Sequence, residues 1–287
     1  MKTKITLLRL IFGGMILVLG AALSESAYSA QQQQGVSEPS DAQKWIARGV
    51  EAYKNARLDE AIEDFQKAKE LDPSNLNARL YLATAYSAEF IPGAPSKENA
   101  QNGERALREF DNVLQSHPDN LQALDGAASI LYNLANAQFN LEKMEESKSY
   151  HLKHIELSPD DPEPYYWVGV IDWTIAFRAN KEVRGDFAKA GNKPMDDDDP
   201  LSPAVTTQFQ EKYGATIDEG ITNLKKGISL LPEYEDAMAY LNLLYRLKAD
   251  AESSWTAREE DLKIADDLVA QVKAIKTKKM DAPADSQ

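Results

Sequence analysis

Between residues 42 and 75, AQKWIARGVEAYKNARLDEAIEDFQKAKELDPSN, apolar positions recur with a helical period. Leu58, Ala61, Ile62, Phe65, Ala68 and Leu71 share one face, and Asp59, Glu60, Glu63, Asp64, Lys67 and Glu70 fill the rest. Trp45, Gly49, Ala52, Tyr53 and Ala56 form a second stripe upstream, and Pro73, Ser74 and Asn75 close the segment. The pattern predicts two short amphipathic helices joined by a tight turn. Such a hairpin is too small to fold alone. Ordering ~34 residues costs on the order of 1.5 kcal/mol each, more than a few buried side chains at roughly 2 to 3 kcal/mol apiece offset. Stacked copies that bury one another's faces are therefore expected.

The run Trp45-x2-Arg48-Gly49, followed by Ala61-x3-Phe65-x2-Ala68 and Pro73, resembles the tetratricopeptide repeat. It departs at Arg48, where the family usually has leucine, and at Ala52, where it usually has tyrosine. The resemblance implies an all-α fold, a right-handed solenoid of about five antiparallel helical hairpins at 42–75, 76–120, 121–161, 162–234 and 235–276. Against a period of about 34 residues, the second, third and fourth copies carry 11, 7 and 39 additional residues.

In the second copy, PGAPSKENAQNG separates the stripe Leu82, Ala83, Tyr86 from Ala106, Phe110, Val113, which predicts a loop insertion over 89–104. The third copy holds no helix breaker in NLANAQFNLEKMEES, so each of its helices should be about one turn longer. The fourth begins with Tyr165, Val168, Gly169 and Trp173 and resumes at Gly220, Leu224 and Gly227. Its insertion at 178–216 is expected to hold a short separate helix, capped by Ser202 ahead of Pro203, ended by Gly214, and docked through Phe187, Phe209 and Tyr213. The fifth has Ala237, Leu241, Leu244 and Tyr245 on its first helix and a second helix from about Thr256.

Outside the repeats, Lys2, Lys4 and Arg9 precede an apolar run from Leu10 to Leu23 and small residues at Ala27 and Ser29. Residues 1–29 thus read as a signal peptide cleaved near Ser29, the alternative being an uncleaved N-terminal anchor. The expected location is exported, periplasmic or secreted. Residues 30–41 read as a disordered linker and 277–287 as a disordered tail.

A net charge of −14 disfavours nucleic acid and anionic lipid, since counterion release needs a basic face. The absence of cysteine removes thiol nucleophiles, thiolate metal sites and disulfides. His151 and His154, three apart, could present two imidazoles to a metal, but both fall at packing positions and only His117 remains besides. Asp196 to Asp199 lacks the spacing of a calcium loop and reads as a solvated charge run. With no phosphate loop, nucleophile elbow or zinc-protease motif, no cofactor, metal site or catalytic residue is assigned.

In the family it resembles, the first helices line a concave groove. The resemblance therefore places Tyr53, Tyr132, Tyr166, Trp173 and Arg246 as partner-binding residues for a protein or peptide segment. Ile46, Val50 and Tyr81 occupy the positions of the family's carboxylate clamp, so a terminal carboxylate is not the expected ligand. The reading is a non-catalytic interaction scaffold of the cell envelope, acting through the groove or the 178–216 insertion. Two alternatives are a membrane-anchored assembly factor and an enzyme whose site that insertion supplies.

Overall fold

The computed structural model describes residues 40–193, 195–196 and 199–281, which contain ten α-helices and no strand. The expected signal segment, most of the linker and the last six residues lie outside the described residues. The helices are α1 Asp41–Lys54, α2 Leu58–Leu71, α3 Leu76–Glu89, α4 Lys97–Ser116, α5 Leu121–Gln138, α6 Leu141–Leu157, α7 Pro162–Lys189, α8 Pro203–Leu230, α9 Glu235–Ala251 and α10 Trp255–Asp281. Successive helices pack in pairs as five antiparallel hairpins stacked into a solenoid.

One local device recurs between the hairpins. Each connection between hairpins places a proline second in a four-residue turn: Asp72 to Asn75, His117 to Asn120, Ser158 to Asp161 and Leu231 to Tyr234. The residue before each proline is held out of the helical region, so the preceding helix stops there. The fourth residue then donates its N–H to the carbonyl of the first, at 3.0 to 3.2 Å in all four turns. Asn75, Asn120 and Asp161 also cap the next helix, accepting backbone N–H groups of Ala78, Ala123 and Glu163.

Within hairpins, small residues let the paired helices close up. A methyl group added at Gly49 would lie 2.6 Å from the Phe65 ring, and one at Gly169 would lie 2.3 Å from Leu224. Arg48, the departure from the family pattern, stacks 4.4 Å over Trp45, donates from Nε to the buried Asp64 at 2.8 Å and ion-pairs with it through Nη2 at 2.7 Å. It thus neutralises a carboxylate that the hairpin encloses.

The apolar interior has two main parts. One gathers Phe65, Leu82, Phe110 and Leu134 with their neighbours across α1 to α5. The other gathers Phe209, Ile217, Leu224, Leu241 and Leu244 across α7 to α10. Between them a small cluster of Ala135, Met144, Ile171 and Ile175 spans α5, α6 and α7. Charged groups join the same helices beside it. Lys148 on α6 reaches Asp172 on α7 at 3.0 Å, Glu219 on α8 at 3.2 Å and Glu145 at 3.1 Å.

Three sequence expectations are corrected. The loop expected over 89–104 is confined to 90–96, because Ser96 caps α4 and the buried Asn99 clamps the loop, bonding Ile91 N–H at 2.6 Å and Ile91 C=O at 2.8 Å. The asparagines read as loop formers are the fasteners. The 178–216 insertion is not a loop with a separate short helix. Instead α7 and α8 each run 28 residues, twice the 14 of α1 and α2, so that the excess lengthens the hairpin itself. Gly214 lies inside α8 and Ser202 makes no side-chain cap bond. A glycine costs a helix only about 1 kcal/mol, which packing of Phe209 and Ile217 outweighs. Finally, the expected tail from residue 277 is helical to Asp281, with Lys278 paired to Glu233 and Lys279 to Glu235.

The extension of α7 and α8 is locked from one side. Arg184 on α7 bonds Asp250 near the end of α9 at 2.7 Å and the carbonyls of Asp196 and Asp199 at 2.9 Å. Asn180 and Arg258 complete the cluster around Asp250 at 3.0 and 2.9 Å. Arg184, Asp250 and Arg258 are all buried. The connection between the long helices is therefore fastened through its backbone.

Candidate functional site

First helices of neighbouring hairpins approach one another at α1/α3, α3/α5 and α7/α9 more closely than second helices do, which makes their side the concave one. Between α5 and α7 the approach is carried by long side chains. The Tyr132 hydroxyl meets Thr174 Oγ1 at 3.1 Å, and Arg178 donates to the Asn136 carbonyl at 2.8 Å while lying 4.5 Å over Phe139.

On this face the aromatic side chains form a continuous belt. Tyr132 meets Trp167 edge-on at 5.8 Å, and Trp167 meets Tyr166 at 5.3 Å. Tyr166 touches Tyr234 at 5.2 Å and Tyr240 at 5.7 Å, and Tyr240 touches Trp173, itself stacked on Phe177. The belt therefore joins α5, α7 and α9, with most of its rings half-buried. Edge-to-face pairs of this kind contribute ~0.5 to 1.5 kcal/mol each beyond area burial, so the rings are held in place before any partner arrives.

Of the five residues singled out from sequence, the structure brings Tyr132, Tyr166 and Trp173 together through Tyr240 and Trp167. Tyr53 lies apart, packed on the first apolar core, where burial pushes its phenol up. Arg246 is engaged within the fold, bonding Asn242 at 3.0 Å and Asp266 of α10 at 2.6 Å. The sequence reading missed Trp167, Tyr234, Tyr240 and Phe177. A signal existed: Tyr81, Gly126, Trp167 and Tyr240 each stand sixth after the cap of their helix, so aligning the caps places three aromatic rings in one register.

The belt's hydroxyls are neutral donors. Burial, the phenols of Tyr240 and Tyr132 and the charges of Asp236 and Glu163 hold Tyr166 far above the usual tyrosine range. Burial and the same kind of neighbours push Tyr240 up to about 12. The rings of Tyr166 and Tyr240 lie 5.7 Å apart and Tyr132 is linked to them through Trp167, so three first helices contribute phenols to one belt. Within the described residues, the hydroxyls of Tyr166 and Tyr240 make no hydrogen bond.

Beneath the belt, His154 bonds Asp125 at 2.7 Å and approaches Asp161 at 3.4 Å. His151 is buried and stacks on Trp167 at 6.0 Å, and burial pulls it down to about 3, so it is neutral. The two imidazoles thus serve packing and pairing. No group of three or more potential metal ligands comes together among the described residues. Asp197 and Asp198 lie outside the described residues, while Asp196 and Asp199 hold Arg184 through their carbonyls. No described helix is long and apolar enough to cross a membrane.

Profiles of the family described as tetratricopeptide repeat match residues 42–75 and 128–161. The chain carries tetratricopeptide repeats at both places. Repeats of this family serve as protein–protein interaction scaffolds and generally bind protein or peptide partners. No curated protein matches this repeat protein. Among solved structures, MamA 41-end from Desulfovibrio magneticus RS-1 is 13% identical with a TM-score of 0.54, covering 86% of this chain and 100% of that one. YrrB, described as a TPR protein with an unusual peptide-binding site, is 16% identical with a TM-score of 0.51, covering 89% and 96%. At these identities the likeness concerns the fold.

Proposed function

We propose that this tetratricopeptide repeat protein is a non-catalytic scaffold of the cell envelope that holds an extended protein segment against its concave aromatic belt. The observation that carries the reading is the belt of touching rings that joins three successive first helices, with the hydroxyls of Tyr166 and Tyr240 left for a partner. Rigid aromatic rings with polar tips give large contact area at small entropic cost. The peptide-binding site named for YrrB is compatible with it. Export rests on the N-terminal sequence pattern and predicts a mature chain starting near Ala30, read by mass spectrometry of the envelope fraction; a full-length mass after salt-washed membrane fractionation would favour the anchored alternative.

For the groove, a displayed library of random 12-residue peptides is selected on the full chain. Tyr166→Ala combined with Trp173→Ala should weaken the selected peptides at least about tenfold while the variant still unfolds cooperatively, at a lower midpoint. Peptides that bind the folded double variant as tightly as the wild type would overturn the groove reading.

A further inference from the structure

The belt is flanked by carboxylates, and one of them is held in a particular way. Glu163, in the first turn of α7, accepts the indole N–H of Trp167 on Oε1 at 3.0 Å and the hydroxyl of Tyr234 on Oε2 at 2.7 Å. Two aromatic donors, one on α7 and one capping α9, thereby fix an exposed carboxylate at the edge of the belt. Asp236, in the first turn of α9, is exposed and stands two residues after Tyr234, the N-cap of that helix, whose hydroxyl holds Glu163. Neither Glu163 nor Asp236 forms an ion pair within the described residues. This contrasts with Asp125 and Asp161 nearby, which share His154.

We infer that the segment bound in the groove carries an arginine or lysine whose cation seats between Glu163 and Asp236, over the rings of Tyr166, Trp167 and Tyr234. The inference rests on the groove reading and names the chemistry of its occupant. Charge complementarity decides the sign: two carboxylates without an ion-pair partner at the edge of an aromatic belt attract a cation, and a chain of net charge −14 repels an acidic segment from the same place. The chain already builds this pairing internally, where Arg48 lies over Trp45 and against Asp64. A guanidinium suits the site better than an ammonium, because it stacks on a ring while donating in its own plane to a carboxylate whose orientation is preset.

The test uses the same library-selected peptides, synthesised with a fluorescent label and titrated against the full chain. Expected is an arginine or lysine recurring at one peptide position. Its replacement by citrulline should weaken binding about tenfold, Glu163→Gln about tenfold, and Asp236→Asn about threefold. The citrulline peptide should be nearly indifferent to Glu163→Gln, since both changes remove one interaction. The amide of the Glu163→Gln variant keeps one carbonyl acceptor, for the Trp167 indole, and its NH2 can donate to the Tyr234 hydroxyl; Asp236→Asn together with the citrulline peptide decides the matter should Glu163→Gln fail to fold. Peptides that lose affinity with Tyr166→Ala plus Trp173→Ala but ignore the charge changes would overturn the cation while leaving the groove. Peptides indifferent to that double variant would overturn both.

Discussion

The first and fourth hairpins are built from the same unit and solve opposite problems. In the first, 14-residue helices meet through Gly49 and Phe65, and its enclosed carboxylate, Asp64, is met by Arg48 of the same hairpin. In the fourth, 28-residue helices project beyond the stack and are fixed by charges shared with other hairpins: Asp172 with Lys148 of the third, Arg184 with Asp250 of the fifth. Apolar packing is enough where each hairpin only has to cover its neighbour. Where the helices overrun the repeat, directional bonds to the fifth hairpin add to the apolar packing of Leu201 and Phe209.

The contrast is tested most severely at Asp250. Asp250→Ala leaves Arg184 and Arg258 buried without their carboxylate and should cost about 3 to 5 kcal/mol. The loss is read as a lowered urea midpoint, with new proteolytic cleavage between residues 190 and 202. If the midpoint falls but that connection stays resistant, the cluster does not fasten the extension. In the first hairpin, Phe65→Ala should cost about 3 to 4 kcal/mol through cavity formation, with no new cleavage in the fourth hairpin. Equal exposure of both regions would mean that the two cores unfold as one.

A finer test concerns pH. Burial and the charges of Glu219 and Glu145 push Asp172 up to about 7, although Lys148 lies beside it and opposes the shift. A carboxyl raised in the fold contributes stability that is complete below its unfolded value near 4 and is lost as pH rises towards 7. Asp172→Asn removes that loss. Its stability relative to wild type should therefore climb by up to about 1.4 kcal/mol per pH unit across this window, measured by urea unfolding. His151 acts in the other direction: its depressed value gives stability present above pH 6.5 and lost as pH falls towards 3. With Asp172→Asn in place, the wild-type chain's opposing slopes no longer cancel, and stability should rise with pH between 4 and 6.5. A parallel pH dependence of variant and wild type would mean that Asp172 keeps its charge throughout this range, held there by Lys148.

Much of the fold was legible from residues 42 to 75 and their degraded copies, since helical period, small residues at close contacts and proline at each turn are local signals. The candidate site was legible only in part. Tyr132, Tyr166 and Trp173 could be found because the repeat register assigns a face to each position. Tyr53 and Arg246 satisfied that register equally well, yet one packs on the core and the other is paired with Asp266. Register fixes the direction in which a side chain leaves its helix, not what it meets.

Residue order alone sets the all-helical stack, the places where the copies exceed their period, and the acidic character of the chain. Whether each excess became loop or helix depended on long-range contacts. Asn99 and Asn102 read as loop-forming residues until contacts from α3 and its following loop place them on a buried helix face. Gly214 reads as a stop until Phe209 and Ile217 hold α8 through it. Only the fold could bring Glu163, Trp167 and Tyr234 together, since a hydrogen bond across 71 residues has no local signature. The physical reason is the same in each case: backbone propensities differ by about 1 kcal/mol per residue, and a few buried contacts outweigh them.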